Sequence, residues 1–159
     1  MKAAVFFILG MIVGAAFLQK GAVQDRPVRS LNHVGLVVKN YDEAMSYYKQ
    51  KLGLREAYTI KKADASPQLT YLQVNRDTFV ELIPAGPNQQ TGVTHFGIEV
   101  ENLASTVAQL RAKGLTVGEP GRSPANALFS RTNDPEGVQI EIMEFGPESL
   151  QRKAMDSWK

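Results

Sequence analysis

Two histidines and two glutamates are the residues of this sequence best suited to chemistry. His33 and His95 are the only histidines in the chain, and they lie 62 residues apart. Each is followed, 48 and 46 residues later, by a glutamate within an apolar stretch, Glu81 and Glu141. Imidazole and carboxylate groups bind divalent ions, so this pairing predicts one metal site built from both halves of the chain. Zn²⁺, Ni²⁺, Mn²⁺, Co²⁺ or Fe²⁺ would suit the set, with one ion per site and positions left for water or a small-molecule substrate.

An internal repeat favours the metal interpretation over more ordinary explanations. A single histidine in a strand is usually a hydrogen-bonded core or surface residue, and a single glutamate in an apolar strand usually faces solvent. Here both histidines occupy equivalent positions in two similar segments, residues 33–40 and 95–102. These segments share histidine, glycine, valine and asparagine at the same offsets. Packing alone gives no reason for this coincidence.

Two modules with the same order of elements must position the four side chains. Each module, at about residues 30–84 and 92–145, is predicted to be βαβββ, so the fold class is α+β. In the first strand of each module, the histidine and a glycine two residues later share one face, and apolar residues form the other. Because the helix covers the apolar face, the histidine faces can meet in a metal cleft between curled sheets. Gly35 and Gly97 are predicted to leave room there for a ligand.

Cap and turn residues set the expected boundaries of these elements. A helix is expected at 42–51 after a cap at Asn40 or Asp42, and a second helix at 102–113. A short strand is expected at 115–118. The strong turn sequence at 133–137 predicts a hairpin between the last two strands.

Composition excludes several classes of protein. A length of 159 residues suits one compact domain, and the absence of cysteine rules out disulfides and thiolate metal sites. Lys2 and Lys20 account for the whole net charge of +2. No basic stripe interleaved with aromatic residues is present, so nucleic acid is not expected as a partner.

The first 24 residues are predicted to be a signal peptide or an N-terminal membrane anchor. Lys2 precedes an uncharged apolar run at residues 3–18, which is short for a membrane span and slightly long for a signal peptide. The protein is therefore expected to be exported, to the periplasm or the extracellular space, or tethered to the membrane by this run. Residues 25–146 are predicted to form the domain, and residues 147–159 a polar C-terminal tail with at most a short helix.

Four stretches resemble the vicinal oxygen chelate superfamily, which includes glyoxalase I, methylmalonyl-CoA epimerase, extradiol dioxygenases, and fosfomycin- and bleomycin-resistance proteins. The stretches are LNHVGLVVKNYDEAMSYYKQKLGL, TFVELIPAG, VTHFGIEVENL and NDPEGVQIEIME. All four ligand positions of glyoxalase-type members are filled, by His33, Glu81, His95 and Glu141. The resemblance implies paired βαβββ modules around a metal cleft, and a homodimer.

The resemblance also implies an activity. It indicates a divalent-metal-dependent lyase, isomerase or epimerase, similar to lactoylglutathione lyase, that removes a proton next to a carbonyl. Its substrate would be a small molecule with two adjacent oxygens. Glu141 would shuttle the proton, and Glu81 would be the second catalytic carboxylate. Two alternatives on the same fold stay open: a resistance-type protein that only binds a small molecule, and a non-haem iron dioxygenase.

Specificity is less accessible from sequence. Four residues on cleft faces by strand parity are predicted to contact the substrate: Tyr71, Phe79, Phe129 and Arg131. Val37 stands where the bacterial glyoxalase I pattern has an arginine that binds glutathione. Glu99, on the same face as His95, is expected to repel an anionic substrate. Both features argue against glutathione.

Overall fold

A computed structural model describes residues 27–159, which form a single curved sheet with three helical segments. The predicted signal peptide or anchor of residues 1–24 lies outside the described residues. None of the helices within residues 27–159 is long and apolar enough to cross a membrane. The strands are β1 (Val28–Val38), β2 (Arg55–Lys61), β3 (Pro67–Gln73), β4 (Phe79–Pro84), β5 (Gly92–Val100), β6 (Gly121–Arg122), β7 (Leu128–Asn133) and β8 (Gln139–Glu144). The helices are α1 (Tyr41–Met45), which continues as a π-helix over Ser46–Lys51, α2 (Leu103–Ala112) and α3 (Leu150–Asp156).

The sheet is continuous across both modules. Its strand order is β2-β3-β4-β1-β5-β8-β7-β6, so the first strands of the two modules lie side by side at the centre. β1 runs antiparallel to β5, whereas β1 and β4, and likewise β5 and β8, are parallel. The two modules therefore pair within one chain, and a single chain supplies all the strands of the cleft.

The helices begin where the sequence predicts. The side chains of Asn40 and Asn102 accept hydrogen bonds from backbone N–H groups three residues later, at Glu43 and Ser105. Of the two caps considered for α1, Asn40 is the one used. The segment after Met45 is wound as a π-helix, with the N–H of Leu52 bonded to the carbonyl of Tyr47.

Two apolar clusters lie on opposite faces of the sheet. On the outer face, α2 packs against the second module through Val100, Leu103, Val107, Val117 and Ile142. On the inner, concave face, α3 packs against both modules through Tyr71, Phe79, Ala127, Met143, Phe145, Ala154 and Met155. The inner cluster fills the floor of the cleft beneath the histidines and glutamates.

The structure differs from the sequence predictions at two places. The strand expected at 115–118 is not formed: one backbone hydrogen bond joins Gly118 to Arg131, and the short strand β6 lies further along the chain. The polar tail expected at residues 147–159 contains a short helix, α3, as considered from the sequence, but this helix is packed against the sheet and buries Gln151, Ala154 and Met155. Seven residues with few apolar positions produce a weak helical pattern, and burial against the sheet stabilises this helix.

Candidate active site

The histidines and the glycines of the repeat fit together reciprocally. β1 and β5 align so that His33 lies opposite Gly97, and Gly35 lies opposite His95. A methyl group added at either glycine would lie 2.0 Å from Cε1 of the opposing histidine ring. The space beside each glycine is thus filled by an imidazole, not left for a ligand as predicted from sequence. The glycines let two antiparallel strands bring both rings into the cleft.

The parallel neighbours β4 and β8 add the glutamates. Glu81 of β4 lies beside Gly35 of β1, and Glu141 of β8 lies beside Gly97 of β5. The Oε2 atom of Glu81 is 2.9 Å from Nε2 of His95 and 3.7 Å from Nε2 of His33. The Oε2 atom of Glu141 is 3.6 Å from Nε2 of His33. All four side chains are buried, so the structure brings together the complete set predicted from sequence.

The donor set fits a divalent ion. Nδ1 of His33 bonds to Oδ1 of Asn32, and Nδ1 of His95 lies 3.1 Å from the hydroxyl oxygen of Thr94. Because the Thr94 hydroxyl donates to the carbonyl of Gly35, its oxygen accepts from His95 Nδ1–H. These bonds place both Nδ1 protons outward and direct the Nε2 lone pairs into the cluster. Among residues 27–159, Nε2 of His33 has no hydrogen-bond partner, although it is buried.

The two histidines differ in proton affinity. Burial, with a smaller contribution from the charge of His95, lowers the pKa of His33 to about 3. Burial also acts to lower the pKa of His95. The hydrogen bond that the His95 ring donates to Glu81, together with the charges of Glu81 and Glu141, outweighs that effect and raises the pKa. His33 is therefore a neutral ligand near neutral pH, and a bound cation would replace the proton that His95 and Glu81 share.

The cluster of Nε2 and carboxylate oxygens is most compact around one carboxylate. His33, Glu81 and His95 each offer a ligand atom, and these atoms lie within 4.8 Å of one another. Metal–ligand bonds of about 2.1 Å separate neighbouring ligand atoms by about 3 to 3.4 Å. The Oε2 atom of Glu81 is near that spacing from both rings, at 2.9 Å from His95 and 3.7 Å from His33. Glu141 lies outside this group of three and approaches it at His33, where its Oε2 is 3.6 Å from Nε2.

The site is not symmetrical, because different residues lie beside the two glutamates. Tyr71 of β3 pairs with Glu81, whereas Arg131 of β7 pairs with Glu141. Nε and Nη2 of Arg131 lie 2.9 and 2.8 Å from Oε1 of Glu141, and the guanidinium stacks over the ring of Phe129. Oε1 of Glu141 is thus held by a cation, which leaves Oε2 directed at His33.

Two spaces adjoin the cluster. A partly enclosed cavity of about 80 Å³ is lined by both glutamates and by Gln151 of α3. An open groove of about 410 Å³ lies on the other side and includes Val37 and His95 in its wall. The two spaces share four wall residues, Leu69, Glu81, Arg131 and Glu141. A molecule bound at the cluster can therefore extend into both.

The residues predicted to contact the substrate fall into two groups. Tyr71, Phe129 and Arg131 line the enclosed cavity. Phe79 lines neither space; it packs behind Tyr71 in the inner apolar cluster, with ring centroids 5.8 Å apart. A substrate role for all four stays a prediction.

Sequence reasoning missed the contribution of α3. Gln151 lines the enclosed cavity and hydrogen-bonds the hydroxyl of Tyr71. Arg152 pairs with Glu99 at 2.9 Å, which neutralises the carboxylate that was expected to repel anionic substrates. The available signal was the helix cap at Ser149, whose hydroxyl accepts from the N–H of Arg152.

Comparisons with known proteins agree with this geometry. The sequence model of the Glyoxalase/Bleomycin resistance protein/Dioxygenase superfamily matches residues 30–142. The uncharacterized protein YwkD of Bacillus subtilis (strain 168) is 25% identical over 126 residues, covering 74% of this chain and 98% of YwkD. A probable chloroplastic lactoylglutathione lyase of Arabidopsis thaliana is 27% identical over 135 residues, covering 75% of this chain but 37% of that protein. Mitochondrial methylmalonyl-CoA epimerase of Mus musculus is 23% identical over 126 residues, covering 70% of this chain and 71% of the epimerase.

Solved structures share the fold. Methylmalonyl-CoA epimerase from Mycobacterium tuberculosis superimposes with a TM-score of 0.68 at 22% identity, covering 80% of this chain and 95% of the epimerase. The hypothetical protein BH1468 from Bacillus halodurans C-125 superimposes with a TM-score of 0.62 at 17% identity, covering 74% of this chain and 94% of that one.

Proposed function

The chain belongs to the Glyoxalase/Bleomycin resistance protein/Dioxygenase superfamily, as its four sequence motifs predicted, and on that premise we propose that it is a divalent-metal-dependent lyase, isomerase or epimerase. Its substrate would be a small molecule with two adjacent oxygens and an acidic C–H bond next to a carbonyl. Relatives named as a lactoylglutathione lyase and methylmalonyl-CoA epimerases support this class of reaction.

The observation that carries the proposal is the buried Nε2 of His33, which has no hydrogen-bond partner among residues 27–159. A buried polar atom without a partner costs about 1–3 kcal/mol, so its retention beside two carboxylates needs an explanation. A metal ion held by His33, Glu81, His95 and Glu141 provides one. When bound, the ion would act as a Lewis acid on the two adjacent oxygens of the substrate.

The carboxylates then move the proton. Glu141 would accept the proton from the carbon next to the carbonyl through Oε2, because Arg131 holds Oε1. Breaking that C–H bond leaves its electron pair on the substrate as an enolate, and the proton returns to carbon to complete an isomerisation or epimerisation. Glu81 lies on the other side of the cluster and would be the second catalytic carboxylate.

The localisation of the protein, its assembly and the class of its substrate are also proposals. The apolar run of residues 3–18 supports export or an N-terminal tether. Family resemblance supports a homodimer, although a single chain supplies all four cluster residues. Val37 in the wall of the open groove supports a substrate other than a glutathione conjugate.

Metal analysis tests the proposal. The full-length protein, purified in detergent and dialysed against limiting Zn²⁺, Ni²⁺ or Mn²⁺, should retain about one ion per chain. His33→Ala and His95→Ala should each abolish tight binding, because each removes an imidazole ligand. Asn133→Ala, an exposed change near the end of β7, is the matched control and should retain the ion.

Hydrogen exchange then separates an enzyme from a binder. In D₂O, the metal-loaded protein should accelerate deuterium incorporation next to the carbonyl of hydroxyacetone, a simple compound with adjacent oxygens. Unchanged metal content in either histidine variant would refute the metal site. Full metal content without exchange in any of a series of such compounds would favour the resistance-type binder instead.

A further inference from the structure

The C-terminal helix closes one wall of the cavity beside the proposed metal centre. Gln151 on α3 lines this cavity together with Glu81 and Glu141. The rest of the wall is apolar at Ile60, Leu69, Pro124, Ala125, Phe129 and Met143, and polar at Tyr71, Ser123 and Arg131. The cavity thus has apolar walls for a carbon chain and a few polar side chains besides the carboxylates.

Both modules hold α3 in place. Arg152 pairs with Glu99 of β5, and Nε2 of Gln73 in β3 donates to the carbonyl of Ala154 at 3.3 Å. The N–H of Leu150 bonds to the carbonyl of Ala125 at 2.9 Å, which joins the helix to another wall of the cavity. Because α3 is bonded to β5, to β3 and to the backbone at Ala125, Gln151 is held on a fixed support.

Gln151 has an unused acceptor. Its side chain is 1% exposed, and it hydrogen-bonds the hydroxyl of Tyr71. Its Oε1 atom has no partner within the part of the chain that the structure describes. A buried carbonyl oxygen without a donor is unfavourable, and a donor brought in by a ligand would remove that cost.

The cavity volume limits what can enter. One water molecule needs about 10–15 Å³ of such space, so a cavity of about 80 Å³ holds several small groups. A chain of about three non-hydrogen atoms would therefore fit between the carboxylates and α3. The rest of the substrate would lie in the open groove, which shares the walls at Glu81 and Glu141.

We propose that this enclosed cavity is the specificity pocket of the site, that it takes a short substrate chain ending in a hydroxyl, and that Gln151 accepts the hydrogen bond from that hydroxyl. The inference rests on the proposed function, because it places the reacting oxygens at the metal centre. It goes further by naming the side-group that the substrate carries. Gln151 is a specificity-determining residue that lies apart from the four proposed ligands.

Hydroxamates test the pocket because their two adjacent oxygens bind divalent ions. The probes are acetohydroxamate, butanohydroxamate and 3-hydroxypropanohydroxamate; the last two have side chains of equal length and differ in a terminal methyl or hydroxyl. With the full-length Zn²⁺-loaded protein, calorimetry should show 3-hydroxypropanohydroxamate binding about tenfold more tightly than butanohydroxamate, as expected for one buried hydrogen bond. Gln151→Leu should abolish or reverse this preference.

A second variant tests the walls. Ala125→Leu fills the cavity, so it should weaken both longer hydroxamates about tenfold or more and leave acetohydroxamate binding unchanged. Ala112→Leu adds the same atoms at an exposed position of α2 and is the matched control. Equal affinities for the two longer probes in the unmodified protein, or affinities insensitive to both Gln151→Leu and Ala125→Leu, would overturn the pocket assignment. In that case acetohydroxamate binding would still support the metal site.

A metal-free measurement keeps the two proposals separate. If the protein binds neither metal nor acetohydroxamate, the proposed function fails, and the pocket is tested alone by titrating 1-propanol while recording NMR spectra. The Gln151 side-chain amide and the Ala125 methyl signals should shift, and Ala125→Leu should remove the effect at Gln151. Absence of any shift would refute the pocket even without the metal.

Discussion

Replacing Gly97 by alanine should displace His33 and destroy the metal site. The added Cβ would lie 2.0, 2.2 and 2.9 Å from Cε1, Nδ1 and Nε2 of the His33 ring. Ordinary contacts begin at 3.4 Å, so the ring must retreat by about 1.4 Å. His33 is 0% exposed, and it is held by Asn32 and packed beside the ring of Tyr71, so it cannot swing into solvent.

The expected magnitudes follow from that displacement. Metal–ligand distances tolerate about 0.2 Å, so a shift of about 1.4 Å removes one ligand. Loss of a group that only orients a ligand costs about 10- to 100-fold in affinity, and loss of the ligand itself should exceed 100-fold. Overpacking should also reduce the free energy of unfolding by about 1–3 kcal/mol. Gly35→Ala should be milder, because His95 lies nearer the cleft opening and can move outward.

Chelator competition measures the metal affinity, and urea unfolding of the metal-free protein measures stability. Gly121→Ala in β6 is the matched control, since its added Cβ meets only the Phe129 ring at 3.7 Å. The double variant Gly97→Ala/His33→Ala should be more stable than Gly97→Ala alone, because the clash disappears with the ring. A folded Gly97→Ala protein with metal affinity within threefold of the original, or no stability rescue in the double variant, would refute the reciprocal packing.

Three further predictions concern the chemistry. Glu141→Gln should reduce deuterium exchange into hydroxyacetone far more than metal affinity, and continued exchange would move the base to Glu81. His33 should make the metal-free protein less stable in acid. Its pKa in the folded protein is about 3, below its ordinary value of 6.5, so between these two pH values the unfolded chain binds a proton that the folded protein does not. The free energy of unfolding therefore decreases as the pH is lowered through this range. Between pH 6.5 and 4.5 the free energy of unfolding should fall by about 2 kcal/mol more than in His33→Gln. The contribution of His95, whose pKa is raised, is already complete below pH 6.5, so equal falls would contradict this assignment. Finally, turnover of the methylglyoxal–glutathione hemithioacetal should remain far below about 10 s⁻¹ with any of Ni²⁺, Zn²⁺ or Mn²⁺, because Val37 lines the groove; turnover near that rate would show that glutathione conjugates are substrates.

The amino-acid sequence determined the repeat, the fold class and the superfamily. Alternation of apolar residues with His33 and His95 set which strand faces meet, because the side-chain period of a strand is two residues. The spacing of Glu81 and Glu141 from the histidines then placed four side chains of metal-binding type in one cleft. These features are local or periodic, so they are visible along the chain.

The tertiary structure decided what depends on contacts between distant segments. Gly35 and Gly97 proved to accommodate the opposing imidazoles, a match that arises only from the register of β1 on β5. The sequence also left open whether the modules pair within one chain, and the continuous sheet shows that they do. The helix propensity of its residues predicts α3 only weakly, and burial of Ala154 and Met155 stabilises it. This helix brings Gln151 from the C-terminal part of the chain to the cavity.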